Sequence, residues 1–317
     1  MRRIGTSYAK EGMVLGWPLY DMNGRVVVDA GDEMDKDSLM KLQAYGVGEI
    51  VIEDMRVNDV PVEPLIPTAE EAMLTRGISQ AIEEATSEGR MSAPAVEQLH
   101  KPVNNIVTTV SESILGEPSA AGCPNTTQYN VIQPAKVAGL SMVLGIKLGL
   151  EATRIQNLGM AATLMNIGYV RFMPGMMEKK GPLSPEEWGV VVQHPDLGAE
   201  IIAASDGVDP EVAETVAQSH ERYDGTGYPR GLKEDEINPL AKIIALVDPY
   251  YALVSDRLHR VAFLPHEAIE FTMAYSMELF DPEIVELFAN QVPLYPTGVS
   301  VKLSSNEIGV VADANLG

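Results

Sequence analysis

His220-Glu221-Arg222-Tyr223-Asp224-Gly225-Thr226-Gly227-Tyr228-Pro229, followed by Arg230-Gly231-Leu232, is the least generic stretch of the sequence. Closely spaced glycines and a proline beside two tyrosines specify a loop of fixed shape, because glycine admits backbone conformations closed to other residues and proline fixes φ. The stretch lies inside a region from Gln128 to about Asn290 whose apolar residues recur almost throughout at helical spacing. Val131 to Leu150 and Glu151 to Ile167 read as two helices parted near Gly149-Leu150-Glu151. A loop carried by an all-α bundle is the expectation, and mainly α is the fold class of the chain.

Working outward, residues 1–60 read as a small β-rich domain. Met13-Val14-Leu15 and Trp17-Pro18-Leu19-Tyr20 lead to Asn23-Gly24, a pair that favours the φ > 0 hairpin turn, and Val26-Val27-Val28 returns. Asp37 to Tyr45 reads as a short helix ended by Gly46, and Glu49-Ile50-Val51-Ile52-Glu53 as a strand. Pro61, Pro64 and Pro67 remove backbone donors at every third position, so an extended connector and a domain boundary belong there.

Residues 61–127 then read as linker and helices. Thr68 is placed as an N-cap ahead of Glu70 and Glu71, opening a helix to about Glu88. Val96, Leu99, Val103, Val107, Val110 and Ile114 mark a second helix, which Pro102 should end or kink in its first part. The apolar faces between 69 and 115 have two uses open to them: packing on the chain's own core, or pairing with a second copy as a homodimer. Residues 128–290 are the helical domain, and 291–317 a tail whose segments 299–303 and 307–311 read as a β-hairpin.

The 317 residues carry 23 Lys+Arg against 45 Asp+Glu, a net charge of −22, which repels polyanions and excludes generic nucleic-acid or anionic-membrane binding. Cys123 is the only cysteine, so no intramolecular disulfide can form. No run of about 18 or more apolar residues is present, and no apolar segment follows the basic pair Arg2-Arg3, so a cytoplasmic location without membrane insertion is expected.

The loop from His220 resembles that of the HD-GYP family of bacterial cyclic di-GMP phosphodiesterases. The resemblance runs from Gln128 to Asn290, through Gln193-His194-Pro195, Asp248-Pro249-Tyr250-Tyr251-Ala252-Leu253, Ser255-Asp256-Arg257, His266-Glu267-Ala268 and Phe280-Asp281-Pro282. It implies an HD-type helical bundle in which His and Asp side chains hold two or three ions of iron or manganese, which generate hydroxide and offset phosphodiester charge. Position by position, this chain departs from that set. Gln133, ahead of Val137-Ala138, stands where the family has its first histidine ligand. Met165-Asn166-Ile167-Gly168-Tyr169 stands where it has His-Asp-Ile-Gly-Lys, and Ser219-His220 where it has two adjacent histidines. His194, His220 and Asp248 match the remaining ligands.

The resemblance therefore implies a catalytically degenerate member: a regulatory protein of cyclic di-GMP signalling that contacts signalling proteins such as GGDEF-type cyclases, with two uses open to the loop, cyclic di-GMP binding or a purely structural turn. No catalytic residues are expected at Gln133, Met165, Asn166, Tyr169 and Ser219. No cofactor is expected either, or at most one weakly held iron or manganese on the vestigial His194, His220 and Asp248, since two histidines plus a carboxylate form a known mononuclear set. The alternative is a phosphodiesterase with that atypical set, with Glu221 or Asp224 recruited. Asp224, Gly225, Gly227, Tyr228 and Pro229, with Arg257 and Arg260 at the family's phosphate-facing positions, are the candidate ligand-binding residues. Met165, with Met173, Met176 and Met177 nearby, reads as core filling. His100, His259 and His266 read as surface or structural residues.

Overall fold

The computed structural model describes residues 1–21, 23–45, 47–112, 116–118, 126–172, 181, 183–255 and 262–314, without the side chains at 111–112 and 126–128. At the start, β1 (Arg2–Gly5) is followed by β2 (Leu19–Tyr20) and β3 (Val26–Val28), which form the hairpin that Asn23-Gly24 predicts. Gly24 sits at φ +71°, and its amide donates to the Asp21 carbonyl at 2.9 Å. Helix α1 (Lys36–Ala44) starts on Asp35, whose carboxylate accepts from the Ser38 amide at 2.8 Å, leaving one fewer orphan donor in the first turn. Gly46, the expected terminator, lies outside the described residues.

Strand β4 (Glu49–Ile52) runs antiparallel to β1, with Arg2 opposite Ile52 and Gly5 opposite Glu49. Sequence reading missed β1, because Arg2-Arg3-Ile4-Gly5 has no alternation; the partner strand creates it. Leu15, Leu19, Val28, Met34, Leu42, Ile50 and Ile52 are buried together over this part of the chain. Each such side chain contributes roughly 1.5–3 kcal/mol by leaving water.

Helix α2 (Thr68–Glu88) has Pro67, not Thr68, at its N-cap, and no side chain caps it. The Thr68 assignment is corrected: the Pro67 carbonyl already accepts from the Glu70 and Glu71 amides at 2.9 and 3.1 Å, so the helix begins one residue earlier. Gly89, at φ +74°, closes α2 in the left-handed conformation. Helix α3 (Ala93–Glu112) continues through Pro102, so of the two expectations, an end or a kink, the end is corrected. One missing N–H is outweighed by Leu99, Val103 and Ile106, which are fully buried on both sides of the proline.

Helices α4 (Thr126–Lys147) and α5 (Ala152–Leu164) are joined by a turn at Gly149, φ +72°. They approach closely because Gly159 has no side chain: a Cβ there would lie 2.6 Å from Met142 Sδ. Then follow α6 (Pro185–Val191), α7 (His194–Ala203), α8 (Pro210–Ala217), α9 (Pro239–Leu253), α10 (Pro265–Ala274) and α11 (Pro282–Gln291). Proline in the first turn recurs in all six, where its missing N–H costs nothing, and Ser184, Asp209, Asn238 and Asp281 cap four of them.

One buried cluster runs from Ile66 to Val292 and takes in the apolar faces of α2 and α3. Leu74, Ile78, Ala81, Leu99, Val103 and Ile106 are at most 2% exposed, covered by neighbouring helices of the same chain. The pairing of those faces with a second copy is thereby corrected: the described part of the 69–115 stretch is occupied internally. The chain ends in a hairpin of β5 (Ser300–Lys302) and β6 (Ile308–Val310). The tail folds back on β1, where the Arg3 amide donates to the Gly298 carbonyl at 2.9 Å. The buried Arg3 guanidinium donates to Thr297 O at 3.1 Å, Glu49 Oε1 at 2.9 Å and Glu117 O at 3.4 Å. Among the described residues, no helix is long and apolar enough to cross a membrane.

Candidate functional site

The loop that follows α8 is shaped by its own backbone and by one buried carboxylate. Glu221 is 1% exposed; its Oε1 accepts from the Arg230 amide at 2.8 Å and its Oε2 from the Leu232 amide at 3.1 Å. Each oxygen accepts one backbone amide, and through them Glu221 holds the loop's two ends together. Asp224 accepts from Thr226 through its amide at 2.9 Å and its hydroxyl at 2.7 Å, bonds that hold its carboxyl below the usual range. Gly225 takes φ +82°, and a Cβ on Gly227 would lie 2.3 Å from the Arg222 amide nitrogen, so neither position admits a side chain without strain. The Tyr228 amide donates to the His220 carbonyl at 3.1 Å, and the Tyr228–Pro229 peptide is cis. The Asp224 amide donates to the Glu278 carbonyl at 2.8 Å, and the Arg230 guanidinium reaches Asp196 at 3.2 Å, fastening the loop to the segment before α11 and to α7.

Beside the loop, five rings stand in sequence. Tyr169 stacks on His194 with centroids 4.1 Å apart, His194 meets His220 edge-on at 4.7 Å, His220 stacks on Tyr228 at 5.0 Å, and Trp188 meets Tyr228 edge-on at 5.7 Å. The backbone brings them together because Gly168 lets α7 approach: a Cβ there would lie 2.0 Å from the His194 carbonyl oxygen. His194 Nδ1 is 2.9 Å from the Val191 carbonyl, which only accepts, so that nitrogen carries the proton and Nε2 the lone pair. His194 Nε2 and His220 Nε2 are buried with no hydrogen-bond partner among the described residues. Burial pushes the His194 pKa well down, with the neighbouring His220 second, while burial and then the Arg222 charge lower His220 to about 4. Both rings are neutral at pH 7.

The remaining positions of the family's ligand set fall around this array. Gln133 is buried and donates through Nε2 to the Asp248 carboxylate. Met165 lies fully buried in the apolar core, Asn166 is nearly so, and the Ser219 hydroxyl donates to the Val216 carbonyl at 2.9 Å. A multinuclear centre needs bridging anionic donors. Here an amide N–H faces the Asp248 carboxylate, a thioether and an amide stand at the doublet, and among the described residues no three His, Cys, Asp or Glu side chains gather to hold an ion. The residues present do not fit a centre of two or three metals.

A cavity of about 690 Å³ opens beside the loop, lined by Trp188, Val192, His220, Arg222, Tyr228, Ala245, Pro249, Leu253, Phe271, Leu279 and Phe280 among others. Gly227 and Tyr228 are thus the loop residues of the predicted set that line this space, whereas Asp224, Gly225 and Pro229 do not. Arg257, Arg260 and His259, like Met173, Met176 and Met177, lie outside the described residues. His100 Nε2 is 3.2 Å from the Gly207 carbonyl, and His266 stacks on Tyr295 at 5.3 Å. Sequence reasoning missed Trp188, Phe271 and Phe280, whose spacing resembles that of any other core-facing residue.

A family model described as "HD domain" matches residues 108–284. "Cyclic di-GMP phosphodiesterase PA4108" of Pseudomonas aeruginosa is 31% identical over 246 residues, 76% of this chain and 58% of that protein. "Cyclic di-GMP phosphodiesterase" of Thermotoga maritima is 34% identical over 154 residues, 48% of this chain and 42% of that protein. The chain thus spans about half the length of the curated relatives it matches. Among solved structures, Bd1817, a HDG"Y"P protein from Bdellovibrio bacteriovorus, superposes with a TM-score of 0.56 at 17% identity, covering 91% of this chain and 98% of that chain. That likeness is one of fold.

Proposed function

The chain belongs to the HD-domain family, and from that premise we propose that it is a regulatory protein of cyclic di-GMP signalling that does not hydrolyse the nucleotide. It acts by contact with signalling proteins such as GGDEF-type cyclases and takes cyclic di-GMP as a ligand, without a resident metal. One observation carries the reading: the Gln133 amide donates to the Asp248 carboxylate. An N–H donor is satisfied there, and neither Gln133 nor Asn166 supplies the negative charge that would offset the repulsion of two close dications. Relatives named cyclic di-GMP phosphodiesterases support the link to that nucleotide.

The test is elemental analysis of protein purified without chelators, together with cyclic di-GMP hydrolysis under added iron(II) or manganese(II) and calorimetry of nucleotide binding. The expected result is no turnover and substoichiometric metal, with measurable heat of binding. Two or more metals per chain with turnover overturns the reading. A second reading, hydrolysis with an atypical set on His194, His220 and Asp248, is favoured by the paired, unpartnered Nε2 atoms. It requires one metal per chain and turnover, both lost in His220→Ala.

A further inference from the structure

We propose that the outer edge of β5 is a docking site for an extended peptide segment of a partner protein, with apolar side chains at alternate positions and a carboxylate beside Lys302. The site shares no described lining residue with the cavity beside the loop and does not depend on the regulatory reading.

The hydrogen-bond pattern of the tail hairpin defines that edge. The Leu303 amide donates to the Glu307 carbonyl at 2.9 Å, and the Val311 amide to the Val299 carbonyl at 3.0 Å. Bonded pairs alternate along an antiparallel ladder, so Val301 and Gly309 are bonded, whereas Ser300 opposite Val310 and Lys302 opposite Ile308 are not. Ser300 and Lys302 therefore turn their backbone groups away from β6, and among the described residues nothing bonds to those groups. Such a row is a template for another strand.

A cavity of about 460 Å³ borders this edge, lined by Ser300 and Lys302 and walled by Val254, Phe263, Leu264, Leu294, Tyr295 and Val299. Neither Ile308 nor Val310 lines it, so β5 rather than β6 combines an open edge with apolar walls. In strand addition the main-chain bonds supply affinity and the walls receive alternate side chains. Charge then selects the segment. Glu49, at the same cavity, is ion-paired with Arg3 at 2.9 Å, whereas Lys302 is exposed and makes no ion pair among the described residues. A carboxylate on the incoming segment complements that ammonium. The chain's net charge of −22 opposes this little, because salt at physiological strength screens charges beyond about 8 Å.

The experiment titrates the full chain by calorimetry with a blocked heptapeptide of alternating valine and threonine carrying a central glutamate. The expected result is binding with a Kd below about 1 mM. Ser300→Pro removes an outward N–H that β6 does not use, and should weaken binding about tenfold, the worth of one hydrogen bond. Val310→Pro does the same on the opposite edge and should leave the affinity unchanged. Lys302→Gln should weaken the glutamate peptide about threefold but not its glutamine counterpart. An unchanged melting temperature verifies folding of each variant. Two N-methylated peptides, one for each alternate set of amides, repeat the test on the unaltered chain, and at least one should fail to bind. Absence of binding at that concentration, equal affinity in Ser300→Pro or Lys302→Gln, loss in Val310→Pro, or full binding of both methylated peptides overturns the proposal.

Discussion

Gln133 and Asp248, 115 positions apart in the chain, are joined by a hydrogen bond from the glutamine amide to the aspartate carboxylate. The bond links α4 to α9 where the family's metal ligands would face each other. Replacing the amide by a second carboxylate sets two anions against each other. Gln133→Glu should therefore lower the melting temperature at alkaline pH, with about 1–3 kcal/mol lost, and recover part of it at acid pH, where the pair shares a proton. Thermal denaturation at both pH values checks this; equal loss at each would show that shape, not charge, is responsible.

Gly168 and Gly189 should respond oppositely to the same change. A Cβ at Gly168 meets the His194 carbonyl oxygen at 2.0 Å, whereas nothing lies within 4 Å of one at Gly189 in α6. Gly168→Ala should cost about 2–3 kcal/mol or prevent folding. Gly189→Ala should stabilise by about 0.5–1 kcal/mol through helix propensity. Urea unfolding of the two variants gives the comparison.

Glu221→Ala should loosen the loop without touching the helical core. It removes the acceptor for the Arg230 and Leu232 amides, two bonds to a charged group in a buried setting. A loss of about 3 kcal/mol is expected. Hydrogen exchange localises it: the amides of 230 and 232 should exchange faster while those of α4 and α5 do not.

Acid should weaken the protein in a defined window. The folded state resists protonating His220 until about pH 4 and holds His194 well below its ordinary value, whereas both rings in the unfolded chain titrate near 6.5. Between those values the unfolded state binds more protons, so stability falls as pH drops from about 6.5 towards 4. Melting temperatures should decline through that interval, and His220→Phe should flatten the decline. A profile unaltered by that substitution would count against the assignment.

Much of the helical body was legible because its determinants are local. Gly89 and Gly149 end helices by positive φ, and Asn23-Gly24 turns a hairpin, all within a few residues of sequence. The ring array was not legible in this way. Tyr169 and His194 come from segments apart from the loop that carries His220 and Tyr228, and the stacking of Tyr169 on His194 depends on the close approach that Gly168 permits. Glu221 shows the same limit: a buried carboxylate that binds two amides of its own loop, at Arg230 and Leu232, is written like any surface glutamate. Pro102 shows the converse, since a local rule against helix yielded to burial on both flanks.

Arg3 binds Thr297, 294 positions away, as well as Glu49 and Glu117. One guanidinium thus acts as a rivet through three layers of chain. Deleting the segment that carries Thr297 and Gly298 would not be a cosmetic edit: it would strip one acceptor from a buried cation and slacken the seating of the first strand, so these two distant stretches behave mechanically as one part.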